Sequence, residues 1–195
     1  MKDFFSKYMA AVLPGLQNLQ ITVREESLQS VDEGLSIWSE WVKQVSENKG
    51  LIFFCGNGAS ATMAEHMSSD WFQNAKVNTC TCSEIAHLTA ISNDFSYEDV
   101  FAYRIQRVLT ERDMLIAISS SGNSPNIVKA LNTAKEKGAY CITITGMHED
   151  NKARKLGDLN FYVPLPTYGL VESAHAVLLH AALDYFLDKY MGGKH

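Results

Sequence analysis

The 195-residue sequence predicts an α/β fold built on a mostly parallel sheet, and three observations predict it. From residue 51 onward, short apolar runs alternate with stretches of helical periodicity, as a sheet covered by helices on both faces requires. Two of those runs end in small-residue loops that open helices, Cys55-Gly56-Asn57-Gly58-Ala59-Ser60 and Ser119-Ser120-Ser121-Gly122-Asn123-Ser124-Pro125. Hydrophobic residues make up 46% of the chain, enough for a core without disulfide or metal staples. No repeat, low-complexity tract or linker divides it. Residues 1–195 therefore read as one domain, with a helical bundle segment (1–50) ahead of an α/β core (51–195).

Taken in order, residues 2–13 have a helical pattern that Pro14-Gly15 should break. A second helix follows, where Leu28, Val31, Leu35, Trp38, Val42 and Val45 recur at steps of three and four, the seam of a helix packed along a partner within or between subunits. Strands are expected at 51–55, 77–82, 114–119, 140–145 and 160–163. Helices are expected at 61–72, 97–109 and 127–137, the last closed by Gly138 as a left-handed cap. Beyond Pro164 and Pro166, residues 170–190 form a helix that is apolar nearly all round, which implies burial, including against another subunit.

A formal charge of −5 disfavours nucleic acid and anionic membrane as partners. No apolar run reaches the roughly 20 residues a bilayer needs, and the first eight residues lack an apolar signal core, so the reading is cytoplasmic. Cys55, Cys80, Cys82 and Cys141 have no CxxC spacing and read as reduced, packed thiols. Period-2 spacing puts Cys80 and Cys82 on one strand face, which serves packing or a metal.

Both loops sit where a strand hands over to a helix, and backbone N–H groups with the helix dipole attract an anion there. Ser124 suits an N-cap, Pro125 the first helical position and Gly122 an unusual backbone angle, while the serines supply hydroxyl donors. Ser60 is placed to cap the next helix. A phosphate monoester fits these donors; an ordinary capped serine turn explains them equally. Neither loop has Walker or GxGxxG spacing, which disfavours nucleotide triphosphates and dinucleotides. His66 and Asp70, four apart on one helix, and Glu172 and His180, eight apart on the last, make a plausible ligand shell for a divalent ion. Each pair also has a plain reading as a surface hydrogen bond or a dipole-favoured carboxylate. His180 stands out among Val177, Leu178, Leu179, Ala181 and Ala182, where an imidazole needs a partner or a wet pocket, and His175 reads as a packed core histidine.

The GNGAS loop, Ser92-Asn93-Asp94-Phe95 and the SSSGNS loop, in this order and at these separations, resemble the SIS (sugar isomerase) domain family in its phosphoheptose isomerase branch. The resemblance implies a flavodoxin-like three-layer domain with a five-stranded parallel sheet, and a homotetramer with active sites near subunit interfaces, which favours a contact between subunits for the seam of the second helix. It implies phosphate binding by Ser119, Ser121 and Ser124 with help from Ser60 and Ser120, and pocket roles for Asn57, Gly58, Asn93, Asp94 and Glu172. Asn93-Asp94 reads equally as a cap at a helix start. One zinc at His66, Asp70, Glu172 and His180 is implied, with Asp70 and His180 catalytic, in isomerisation of sedoheptulose 7-phosphate for lipopolysaccharide or capsule heptose. The chain departs from the family where Asp70 replaces a glutamate, Glu172 a glutamine, Asn74 an arginine and Gly169 an aspartate. Other readings are a different phosphosugar as substrate, or a non-catalytic relative that binds a replication initiator or senses a sugar phosphate.

Overall fold

A computed structural model describes residues 3–193. In chain order it contains α1 (Phe4–Gln17), β1 (Gln20–Val23), β2 (Glu26–Ser27), α2 (Val31–Glu47), β3 (Ile52–Gly56), α3 (Ala59–Gln73), β4 (Thr79–Cys80), α4 (Ile85–Asp94), α5 (Asp99–Val108), β5 (Met114–Ser119), α6 (Pro125–Glu136), β6 (Tyr140–Gly146), α7 (Lys152–Leu156), β7 (Leu159–Val163) and α8 (Tyr168–Met191). The sheet order is β2-β1-β7-β6-β5-β3-β4. Strands β3 to β7 are the expected five, all parallel, and the hairpin β1–β2 adds two antiparallel strands at the β7 edge.

The parallel strands are legible because both of their faces are covered. Along β3, Ile52 and Phe54 join one core cluster while Phe53 and Cys55 join another on the opposite face, the alternation a pleated strand imposes. Helices α2, α3 and α8 cover the first face, with Trp38 and Trp71 almost fully buried there; α5 and α6 cover the second. The result is three layers.

Several expectations need correction. The first helix is not broken at Pro14-Gly15: α1 runs through to Gln17, and a Cβ on buried Gly15 would collide with Leu165. Pro14 forfeits one backbone bond on a largely exposed helix, a cost the helix survives. Lys2, the expected start, lies outside the described residues. Leu28 precedes α2 and instead donates its N–H to Ile21 O (2.9 Å); Ser30 caps the helix by accepting from Glu33 N (3.2 Å). The α2 seam is occupied inside the protomer, where Trp38 meets Phe161 with ring centroids 5.4 Å apart. The 77–82 strand shrinks to Thr79–Cys80, and α4 and α7 are additional helices. Gly138, at φ +75°, follows the end of α6 as expected.

Helix α8 is long and apolar enough by composition to cross a bilayer, yet Val171, Ala174, His175, Leu178, Leu179, Ala182, Leu183, Phe186 and Leu187 are buried in this protein. It is a core helix with one open face. Cys55, Cys82 and Cys141 are buried in the second core, and burial pushes the thiols up, to about 11 for Cys82 and about 12 for Cys141. Cys80, packed against the same core, rises to about 12 from burial. They are protonated packing groups, and Cys82 donates to Val100 O (3.2 Å).

Candidate functional site

Strands β3 and β5 are neighbours, but β4 lies to one side of β3 while β6 and β7 extend from β5 on the other. The chain therefore reverses direction across the sheet between β3 and β5, the switch point where open α/β sheets hold ligands at the carboxyl ends of their strands. Gly56 pairs with Ile118 in register, which sets the loop 57–60 beside the loop 119–124. Together with the start of α8 they enclose a cavity of about 280 Å³ lined by Asn57, Gly58, Ala59, Ser60, Ile118, Ser119, Ser120, Ser121, Ser124, Tyr168 and Glu172.

Local chemistry holds these loops open toward the cavity. Gly58 (φ +56°, ψ −125°) takes a backbone conformation closed to other residues, and α3 begins directly after it. Gly122 (φ +62°) turns the second loop, and a Cβ there would strike Asn151. That loop is braced from behind: Ala153 N donates to Gly122 O (2.9 Å) and Lys152 N to Asn123 Oδ1 (3.1 Å). Ser119 Oγ accepts from Gly122 N (3.1 Å) and Ser121 Oγ from Asn123 N (3.3 Å), so both hydroxyl hydrogens remain to be given. Ser120 Oγ is buried and has no hydrogen-bond partner. A buried, unpaired hydroxyl on the wall of a cavity is a donor awaiting an acceptor. In the first turns of α3 and α6, Ser60 N donates to Asn57 O, Ala61 N to Gly58 O and Ile127 N to Ser124 O (each 3.0 Å), and Pro125 carries no N–H, so the serine hydroxyls are the donors on offer.

Two expected caps are corrected. Ser60 lies inside the first turn of α3, whose N-cap is Gly58, and its buried side chain faces the cavity. Ser124 holds the N-cap position of α6, but its hydroxyl accepts no capping bond and lines the cavity instead. Asn93 and Asp94 end α4 rather than start a helix, lie exposed and bond to each other (3.0 Å), and neither lines this cavity.

Farther along α3 and α8, three groups meet. His66 Nε2 is 3.2 Å from His180 Nε2 and 3.3 Å from Asp70 Oδ2. The three are the cluster of possible metal ligands among the described residues. Two donors about 2.05 Å from a tetrahedral ion stand about 3.3 Å apart, so these spacings fit one zinc-sized ion. The tautomer fits as well: His180 Nδ1–H donates to Ala176 O (2.8 Å), which leaves the lone pair on Nε2, toward His66. Glu172 is not in this cluster and lines the serine cavity, two turns nearer the start of α8. Asn74 C-caps α3 and Gly169 lies in the first turn of α8.

Between Glu172 and His180 lies His175, fully buried, donating Nε2–H to Thr145 O (3.1 Å) and leaving Nδ1 unpaired. Burial lowers its pKa to about 4, partly opposed by the bond to Thr145. It is the packed histidine of the pair, and it pins α8 to the end of β6. The sequence reading missed Asn126 and Tyr97. Asn126 is buried and exchanges two amide hydrogen bonds with Asn57, each 2.9 Å, and the Tyr97 hydroxyl donates to Asn57 Oδ1 (3.0 Å).

The family model described as SIS domain matches residues 19–146. A phosphoheptose isomerase of Helicobacter pylori (strain Shi470) is 33% identical over 166 residues, covering 82% of this chain and 86% of the relative. One from Chromohalobacter salexigens is 28% identical over 199 residues and covers 98% of both. Among solved structures, the phosphoheptose isomerase of Neisseria gonorrhoeae superposes with a TM-score of 0.79 at 27% identity, covering 93% of this chain and 94% of that one. The phosphoheptose isomerase from Francisella tularensis shares the fold with a TM-score of 0.81 at 20% identity, covering 95% of each.

Proposed function

The chain belongs to the SIS domain family, and on that footing we propose that it is an aldose-ketose isomerase of a phosphorylated sugar, interconverting sedoheptulose 7-phosphate and D-glycero-D-manno-heptose 7-phosphate. One observation carries the reading. Helices α3 and α8 both start at the serine cavity, and both deliver titratable groups to a single point farther along: Ser60 to His66 is about 9 Å of helix and Glu172 to His180 about 12 Å. An open-chain seven-carbon sugar phosphate spans such a separation, with its phosphate among Ser119, Ser120, Ser121 and Ser124 and its carbonyl end at the histidines.

Isomerisation removes a proton from C1 of the ketose, places one on O2 to give the enediol, then returns a proton to C2 as O1 loses its own. Asp70, with two oxygens, is the base at carbon; one can face a ligand while the other takes the proton. His66 and His180 orient it and flank the oxygens that exchange protons. A divalent ion, zinc by ligand type, would be held by His66, Asp70 and His180, and when bound it would supply Lewis-acid polarisation of the sugar oxygens. Glu172 lies outside that set and places its carboxylate in the serine cavity instead. The open apolar side of α1 and α8, with Phe5, Met9 and Val177 exposed, supports self-association; the homotetramer with active sites near subunit interfaces, and the cytoplasmic location, rest on the family resemblance and the sequence reading.

The test is a panel of ketose phosphates incubated with purified protein and followed by NMR, with metal content measured on the same sample. Turnover of sedoheptulose 7-phosphate in preference to shorter ketose phosphates supports the assignment. Preference for another phosphosugar moves the substrate, and no isomerisation of any member removes the enzymatic reading.

A further inference from the structure

The Asn57–Asn126 pair joins the two loops that frame the serine cavity. Asn57 lies in the loop after β3; Asn126 is the second residue of α6, directly beyond the loop after β5. Asn57 Nδ2 donates to Asn126 Oδ1 and Asn126 Nδ2 donates to Asn57 Oδ1, both at 2.9 Å, closing a ring that fixes one loop against the other. Tyr97, in the turn between α4 and α5, donates its hydroxyl to the same Asn57 oxygen at 3.0 Å.

A side-chain carbonyl has two lone pairs and an amide nitrogen two hydrogens. Asn57 Oδ1 is thus saturated by two donors, while Nδ2 has spent one hydrogen on Asn126. What Asn57 has left for the cavity it lines is a single N–H and no acceptor. Two donors on the carbonyl also polarise the amide, which strengthens that remaining donor. Asn126 is 2% exposed and its side chain is bonded to Asn57, so that side chain acts on a ligand only through Asn57.

We propose that Asn126 is a positioning residue for ligand binding. Its amide ring with Asn57 fixes the spacing of the two loops, and together with Tyr97 it makes Asn57 a dedicated donor to an acceptor oxygen on the bound sugar phosphate. The inference rests on the phosphosugar reading above.

The experiment uses full-length protein, inorganic phosphate as probe by titration calorimetry, and KM and kcat for sedoheptulose 7-phosphate. Variants are Asn126→Ala, Tyr97→Phe and the double variant. Losing one hydrogen bond should weaken phosphate binding about two- to tenfold for Tyr97→Phe, and losing two about ten- to a hundredfold for Asn126→Ala. KM should rise in parallel with kcat changed much less, and the double variant should be no weaker than Asn126→Ala, since both act through Asn57. A lower melting temperature with phosphate affinity and KM unchanged would mean a purely structural pair and would overturn the proposal. If Asn126→Ala does not fold, Tyr97→Phe, on an exposed side chain, decides: unchanged affinity overturns it. Wild-type protein that binds no phosphate sinks the phosphosugar reading and this inference with it, whereas wild-type binding with indifferent variants sinks this inference alone.

Discussion

Acidification from pH 7 to pH 4 should destabilise this protein through His175. The ring is fully buried, its Nε2–H is given to Thr145 O, and its Nδ1 has no partner able to stabilise a second proton. Burial holds its folded-state pKa near 4, well below the 6.5 of an ordinary histidine. Above about pH 6.5 both folded and unfolded chains carry it neutral and it adds no slope. Between 6.5 and 4 the unfolded chain binds a proton that the folded one refuses, so stability falls as pH falls, and below 4 the slope vanishes again. A gap of about 2.5 units at 1.36 kcal/mol each gives a loss of about 3 kcal/mol across the window. For a domain of this size that corresponds to a melting temperature lower by about 6–12 °C. Calorimetry at fixed protein concentration, at pH 7, 6, 5 and 4, would measure it on wild type and on His175→Gln, whose amide can still donate to Thr145. The difference between the two proteins isolates His175, because the lowered carboxylates Glu84 (paired to Arg104) and Asp99 (paired to Lys129) are common to both. Identical pH slopes in the two proteins would refute the reasoning.

Three further outcomes follow from the same geometry. Ser120→Ala removes a buried hydroxyl that has no partner, so stability without ligand should be unchanged or rise by up to about 1 kcal/mol while stabilisation by added phosphate shrinks; thermal melts with and without phosphate check both halves. Gly122→Ala forces a Cβ into the left-handed region and against Asn151, and should cost about 2 kcal/mol or more, read as a melting temperature lower by about 4–8 °C. Zinc at a hundredfold excess over its dissociation constant should raise stability by about 2.7 kcal/mol in the wild type, and His66→Ala should lose most of that gain.

Much of this was legible in the sequence for identifiable reasons. Strands buried on both faces read as unbroken apolar runs, and the glycine and serine loops mark the ends of β3 and β5 because only small residues permit those turns. The β1–β2 hairpin escaped because its turn is made by Arg24 and Glu25, at φ +46° and +74°, where the usual signal is Asn-Gly. Helix α4 buries only Ile91, with Ile85 left exposed, and α7 is five residues long. His66 and Asp70 were read as one face correctly, since four residues return a helix to within about 40° of the same side. Eight residues leave Glu172 about 80° and 12 Å from His180, which is why it lies with the serines. The Asn57–Asn126 pair joins residues 69 apart, and no local pattern announces a contact between two amides.

His66, Asp70 and His180 meet beside the serine cavity, and the proposed isomerisation depends on that meeting. Sedoheptulose 7-phosphate incubated in deuterated water with wild type and with His180→Ala, and followed at C1 by NMR, puts that dependence to the test. Deuterium should appear at C1 with the wild type and be lost in a variant that still melts cooperatively and still binds phosphate. Undiminished exchange in His180→Ala would contradict it.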